Sequence, residues 1–552
     1  MLEEKLLENA KSDIYPFHMP GHKRRLSADD ACRIDITEIE GFDNLHHSQG
    51  ILREAQEKAA RLYGSKKAYY LVNGSTCGIL AAVSAATSRR DKVIVARNSH
   101  KAVYNALYLN ELIPTYVYPV ITDMGIQGQI SVEAVQKAIE ETEDASAVII
   151  TSPTYDGISS NIAQIAELAH AKGMVLIVDS AHGAHFGFGY GMPENVIKQG
   201  ADIVIESVHK TLPAYTQTAL LHICSDRVKP EAVERYLDIY ETSSPSYVLM
   251  AGIERCIDMA AEQKDKLFGG LQRNLDSFYE KVSGLKYLKV LTKADIKADD
   301  AFDFDRSKII IFTDRAGMSG QDMWDILLQK YHIQIEMAAG NYVAALSSVM
   351  DTEEGFNRLA AALIDIDKGI SEAVNVHECQ ALKNDRERSQ PIKAGRCSKH
   401  IVNAEIYHPN ERSLEIFEAE DAYKAQCRYG AGDAYKTQCR YGAGDAYKAQ
   451  CRYGAGDAYK TQCRYETEEA YKSQGSYEVR TENRWQVLQV PLEEAAGQVS
   501  ASFINLYPPG IPLVVPGEII SPRLVRDLKS IIKLNLELQG LTENNFITIL
   551  KG

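Results

Sequence analysis

ADIVIESVHKTLPAYTQTALLHI, residues 201–223, decides how this chain folds. Its opening is a short apolar run, Ile203-Val204-Ile205, framed by polar residues. Such a run, too short for a helix and apolar on every position, reads as a strand buried on both faces. The strand runs out at Glu206 and delivers Ser207, His209 and Lys210 to its exit. Lysine is almost never fully buried without a partner or a task. An amine taken out of water loses proton affinity, becomes nucleophilic and can form a Schiff base. Seen alone, Lys210 also fits a surface lysine at a strand end.

Working outward from this segment, short apolar runs alternate with helical stretches from about residue 60 to 225. AYYLVNG, DKVIVAR, PTYVYPV, SAVIITSP, MVLIVDS and DIVIESVHK read as strands; STCGILAAVSAAT, HKAVYNALYLN, SVEAVQKAIEE and NIAQIAELAHAKG read as helices. Strands apolar throughout and interleaved with helices predict an α/β domain, a mostly parallel sheet covered by helices. Sheets of this kind hold ligands at the carboxyl ends of their strands.

Those ends carry the polar residues of interest. MVLIVDSAHGAHFGF brings Asp179 to a strand end 31 residues before Lys210. AYYLVNGSTCGIL joins strand to helix through Asn73-Gly74-Ser75-Thr76, where the N–H groups of a helix start suit a phosphate and Ser75 and Thr76 add hydroxyl donors. DKVIVARNSHKAV delivers His100, an imidazole able to stack on a ring. Each has a plainer reading as a cap, a turn or a loop residue. Together they offer a phosphate cradle, a stacking group, an acid and an amine. That set matches pyridoxal phosphate (PLP), whose pyridinium nitrogen needs a carboxylate and whose aldehyde needs a lysine.

Composition is compatible with this reading. The 552 residues are 45% hydrophobic and 25% charged, an ordinary globular balance. Lysine plus arginine number 61 against 75 acidic residues, a net charge of −14. An acidic chain is a poor match to nucleic acid or an anionic membrane, so neither is expected as a partner. The N-terminus, MLEEKLLENAKSDIYPF, lacks the apolar core of a secretory signal, and no apolar run reaches the ~18 residues of a membrane span. Four of the ten cysteines belong to one repeat and the others are scattered without metal-ligand spacing. A cytoplasmic protein without a metal site is expected.

Beyond the large domain, KIIIFTD and IQIEMA read as strands and SGQDMWDILLQKY and GFNRLAAALIDI as helices of a smaller α/β unit. DAYKAQCRYGAG, with Thr in place of its second Ala in alternate copies, then recurs every twelve residues from Asp421, Asp433 and Asp445, with a fourth copy from Asp457 that decays after Tyr465. Twelve residues are about three and a third helical turns, so the repeated Tyr and Cys share no helix face. With Gly-Ala-Gly between units, a flexible exposed insert is expected, a repeat-built interaction module being the alternative. The expected divisions are an N-terminal segment with substrate-entrance loops (1–58), the PLP-binding domain (59–300), the small α/β domain (301–378), a linker with the repeat insert at 421–472 (379–485), and a C-terminal domain (486–552).

The chain resembles the Orn/Lys/Arg decarboxylases, PLP enzymes of the aspartate-aminotransferase-like fold (PLP fold type I). The resemblance spans roughly 14–375 and 488–540. It rests on FHMPGHK (17–23), DITEIEGFDNLHH (35–47), GSTCG (74–78), RNSHKAV (97–103), SPTYDG (152–157), VDSAHGAHFGF (178–188), SVHKTLPAYTQ (207–217) and YPPGIPLVVPGE (507–518). It implies that Lys210 binds PLP, that Asp179 pairs with the ring nitrogen, that His100 stacks on the ring, and that His182 lies near it. Ser75, Thr76, Ser207 and His209 would hold the phosphate. Ser243, in ETSSPSY, would complete the site of a neighbouring subunit, which makes a homodimer or a larger homo-oligomer the expected assembly. The implied reaction is decarboxylation of arginine, lysine or ornithine, an entry to polyamine synthesis, with His209 or Lys210 returning a proton to Cα. Glu38, Glu40, Asp43 and Glu518 are the candidate carboxylates for the basic end of the substrate. Transamination or another PLP lyase reaction on the same fold is the alternative; a non-catalytic protein working through its repeat is a third.

Overall fold

The computed structural model describes residues 13, 15–17, 43–189, 191–385, 486–507, 511–533, 537–542 and 545–551. Motif 17–23 beyond Phe17, Glu38, Glu40 and the twelve-residue repeat lie outside them. The described chain falls into two compact units, the larger holding 13–385, 505–513 and 526–538, the smaller the remaining C-terminal residues.

The larger unit begins with strand β1 (Tyr15–Phe17) and is built on a seven-stranded sheet. Its strands are β2 (Lys67–Leu71), β3 (Lys92–Ala96), β4 (Ile113–Val117), β5 (Ala145–Thr151), β7 (Val175–Asp179), β8 (Ile203–Glu206) and β9 (Ala219–Ile223); the two-residue β6 (Ile158–Ser159) lies outside this sheet. The order is β2-β9-β8-β7-β5-β3-β4, with β9 antiparallel to both neighbours and every other pair parallel. The expected mostly parallel sheet is therefore observed, and the ALLHI run adds an antiparallel strand. β7, β8 and β9 are buried at every position, as strands covered on both faces must be.

Parallel pairing of β7 with β8, with Asp179 opposite Ile205, makes the two strands run out at the same edge of the sheet. Asp179 closes one strand; a single helical turn after the other, Val208–Thr211, carries Lys210. The helix Gly74–Ala86 lies across the same region. Its sequence is almost entirely small and apolar, and it packs without a side chain at position 78. A Cβ on Gly78 would stand 2.6 Å from Leu71 Cδ1 and 3.2 Å from Ile205 Cγ2. Gly78 thus sets the distance between the helix and strands β2 and β8. Gly78→Val is expected to lower unfolding free energy by about 1–3 kcal/mol through overpacking, measured by denaturant titration.

A second sheet in this unit is antiparallel, ordered β10-β12-β15-β14 from β10 (Lys289–Val290), β12 (Lys308–Phe312), β14 (Met337–Ala338) and β15 (Tyr342–Leu346). β11 (Asp303–Phe304) pairs with β6. The IQIEMA run, read as one strand, is two: β13 (Ile333–Ile335) pairs with β1, and β14 pairs with β15. The change of partner falls at Glu336. Helices Gly320–Tyr331 and Glu353–Asp385 occur where the apolar periodicity predicts them. The C-terminal residues form two three-stranded sheets and the helix Pro522–Lys533. Gln486–Pro491 and Phe546–Lys551, which sequence reading did not mark as strands, pair with each other there. Among the described residues no helix is long and apolar enough to cross a membrane.

Candidate active site

Lys210 stands at the centre of a polar cluster at the carboxyl end of β7 and β8. Its Nζ is 3.0 Å from His182 Nε2. Burial drives the amine below the ordinary lysine range, against the opposing pull of the Asp179 and Glu336 carboxylates. Asp179 is 3% exposed, and one of its oxygens accepts the Ala181 N–H at 3.1 Å. Burial raises its pKa, while Lys210 and that hydrogen bond act in the opposite direction. An acid and an amine 31 residues apart in sequence are thus electrostatic neighbours, as the two strand ends predict.

Burial holds the His100, His182 and His209 imidazoles neutral. His100 caps the helix Lys101–Leu109, its Nδ1 accepting from Ala102 N–H at 3.2 Å. Burial, with Lys210 and Lys101 nearby, lowers its pKa to about 3. His209 Nδ1 donates to the Thr218 carbonyl at 2.8 Å, and burial brings its pKa down to about 4. His182 is 7% exposed and packs edge-on to the Tyr155 ring at 4.8 Å. Burial first, then four cationic or imidazole neighbours, hold its pKa far below the usual range.

The turn between β2 and the helix Gly74–Ala86 is the candidate phosphate cradle. The Glu241 carboxylate accepts from Val72 N–H at 2.6 Å and Asn73 N–H at 3.3 Å, which fixes the turn. Gly74 has φ +75°, a left-handed conformation that glycine adopts without strain. The Asn73 side chain makes no capping bond, so the helix start is not closed by its own cap. Ser75 is half-buried and Thr76 exposed there. On the segment that follows β8, Ser207 Oγ and Thr211 Oγ1 are buried without a hydrogen-bond partner. Unsatisfied buried hydroxyls and a helix start fit an anionic group, and an acid paired with an amine fits a pyridine ring carrying an aldehyde. The donor set therefore fits PLP.

Three residues of the cluster were not singled out from sequence. Tyr155 donates to Glu336 Oε1 at 2.6 Å. Lys308, 1% exposed, places its Nζ 2.8 Å from His182 Nδ1. Tyr155 lies inside the quoted SPTYDG motif; Glu336 and Lys308 sit at strand breaks or starts, where a charged residue ordinarily faces solvent, and only the fold brings them to Lys210.

The candidate substrate carboxylates fare differently. Asp43 accepts backbone N–H bonds from Asn44, Gln49, Gly50, Leu52 and Arg53, a loop-and-helix-start role that occupies both of its oxygens. Glu518 is in the smaller unit and accepts from Val515 N–H at 3.0 Å. Ser243 is exposed on the loop before the helix Tyr247–Glu262. Among the described residues no group of three or more His, Cys, Asp and Glu is arranged to hold a metal ion.

Comparison with known proteins follows the same lines. The sequence profile described as Orn/Lys/Arg decarboxylase, major domain, matches residues 2–310, and that of the C-terminal domain of the same proteins matches 457–544. An arginine decarboxylase of Halalkalibacterium halodurans is 27% identical over 99% of this chain and 96% of its own length. An arginine decarboxylase of Bacillus cereus is 30% identical over 68% of this chain and 86% of its own. The crystal structure of the Francisella novicida lysine decarboxylase LdcF has a TM-score of 0.62 at 19% identity, covering 96% of this chain and 74% of that one, which shows a shared fold.

Proposed function

Because the chain belongs to the Orn/Lys/Arg decarboxylase family, we propose that it carries PLP on Lys210 and acts on arginine. Decarboxylation of a basic amino acid is the family's reaction and this chain's. The observation that carries the cofactor reading is the Lys210 amine, desolvated and coupled to Asp179 at the common exit of β7 and β8. Arginine is favoured over lysine because the named arginine decarboxylases match along nearly the whole chain, whereas the likeness to LdcF speaks for the fold alone.

When bound, PLP supplies a protonated pyridine ring that accepts the electron pair released as the Cα–carboxylate bond breaks. Lys210 would hold the cofactor through its neutral amine. Asp179 would hold a proton at the pyridine nitrogen; a cation beside it would oppose the upward push of burial. His100, neutral and fixed by its helix cap, would lie on the ring. Ser75, Thr76, Ser207 and the helix start would hold the phosphate. Lys210 is better suited than His209 to return the proton to Cα, since His209 is a weak base with Nδ1 committed to Thr218.

Glu336 is the carboxylate this reading assigns to the guanidinium. It faces Lys210 electrostatically and is oriented by Tyr155. A planar guanidinium donates to a carboxylate through two parallel N–H groups, which lysine cannot reproduce. Asp43 and Glu518, the substrate carboxylates expected from sequence, carry the local hydrogen bonds described above. The working assembly in this reading is a cytoplasmic homodimer, with Ser243 completing the neighbouring site, and the amine product enters polyamine synthesis. The test is an amine-product assay of the purified chain with PLP. Agmatine should form from arginine faster than cadaverine from lysine, and Glu336→Gln should raise KM for arginine about 10–100-fold with PLP content unchanged. Equal use of both amino acids, or an unchanged KM, removes the assignment.

A further inference from the structure

Lys308 has no part in the scheme above, yet it is 1% exposed and reaches the site through one imidazole. Its Nζ is 2.8 Å from His182 Nδ1, and His182 Nε2 is 3.0 Å from Lys210 Nζ. Two lysine amines share one ring. An ammonium group only donates hydrogen bonds, and a neutral imidazole has one N–H and one acceptor nitrogen. With His182 neutral, one amine must therefore be neutral and accept the ring N–H.

The surroundings select which. Lys308 has the Asp305 and Asp156 carboxyls as neighbours, and burial pushes Asp156 up to about 6 against the pull of Tyr342 and Lys308. Burial works to raise Asp305, but His185, Lys308 and Ser307 hold it below the ordinary carboxylate range, so it stays anionic. Its Oδ2 is 3.2 Å from His185 Nε2. The Tyr155 ring also faces the Lys308 amine, at 6.0 Å. Lys210 faces Asp179 and Glu336, with His100, His182 and His209 around it. The acid that acts on it most strongly, Asp179, is pushed toward protonation by burial. The Lys308 stem is also clamped. Gly157, at φ +95°, leaves no room for a side chain, because a Cβ there would stand 2.8 Å from Lys308 Cγ.

We propose that Lys308 is a positioning residue: as an ammonium it donates to His182 Nδ1, which fixes the proton on His182 Nε2, and that N–H keeps Lys210 in its neutral, nucleophilic form. The inference rests on Lys210 being the reactive amine. It assigns His182 a single tautomer and makes Lys210 reactivity depend on Lys308.

The test uses the full-length chain freed of cofactor, treated with a limiting amount of a small acylating reagent across a pH series. Labelling of Lys210 and of the exposed Lys172 is read by peptide mass spectrometry. In the unaltered chain Lys210 should label half-maximally at lower pH than Lys172. Lys308→Met should raise the Lys210 midpoint by about one pH unit, or about tenfold lower labelling below both midpoints, and Lys308→Arg, which keeps a donor, should restore it. A role confined to packing would lower stability and leave the midpoint in place, so a folded Lys308→Met chain with an unmoved midpoint overturns the proposal. Should Lys308→Met not fold, ¹⁵N NMR of histidine-labelled unaltered protein decides instead. The His182 ring, assigned by the loss of its signals in His182→Asn, must carry its proton on Nε2; a proton on Nδ1 of that ring overturns the proposal. Borohydride reduction that attaches the cofactor to some other lysine would overturn the reading of Lys210 itself while leaving the labelling result standing.

Discussion

Lys210→Ala is expected to lower the rate of CO2 release from arginine by more than about 10³-fold, on the scale seen when a covalent nucleophile is removed. The amine is the group that the exit of β8 presents for covalent attachment of the cofactor. Its neighbours fix its state: burial disfavours the ammonium, and His182 Nε2 lies 3.0 Å from Nζ. Arginine in its place cannot help, since a guanidinium does not deprotonate in proteins. Lys210→Arg should therefore be as inactive as Lys210→Ala. Borohydride treatment of the PLP-loaded chain followed by peptide mapping should place the pyridoxyl group on Lys210 alone. Retention of more than a few per cent of the rate in either variant would contradict the reading.

The second large effect is at Asp179. Asp179→Asn keeps the shape and a hydrogen bond but removes the charge that would hold a proton on the ring nitrogen. A fall in kcat of about 10²–10³-fold is expected, the range for losing one preorganised electrostatic contact, with KM changing far less and the cofactor still bound through Lys210. Asp179→Glu, which keeps the charge but lengthens the reach, should recover part of the rate. The asymmetry separates electrostatics from packing, because the isosteric variant is the more damaging one. Steady-state CO2 release with cofactor content measured in parallel reads both. An Asp179→Asn enzyme with unaltered kcat would show that the ring nitrogen finds its partner elsewhere.

Sequence alone carried the reading a considerable distance. Apolar runs such as VLIVD and IVIE can be stable only as strands covered on both faces, and their alternation with helices requires a mostly parallel sheet. Once the sheet is parallel, Asp179 and Lys210 must emerge at one edge, because parallel neighbours end on the same side. The helix start at Gly74–Thr76 follows from local chemistry in the same way. These are short-range consequences of composition and period.

The tertiary structure decided what lies across the chain from those ends. IQIEMA has the period of one strand, yet it divides at Glu336 because its two halves find different partners, β1 and β15, and partner choice is not encoded in a strand's own residues. The acidic loop around Asp43 looked suited to a cationic substrate, but local backbone N–H groups claim its carboxylate. Lys308 begins an apolar strand and would ordinarily face water; only the packing of β12 against the Gly157 turn removes it from solvent and sets it 2.8 Å from His182. Pattern determines which face of an element is buried. Which distant groups meet on that face depends on how the elements pack, as Lys308, Tyr155 and Glu336 show.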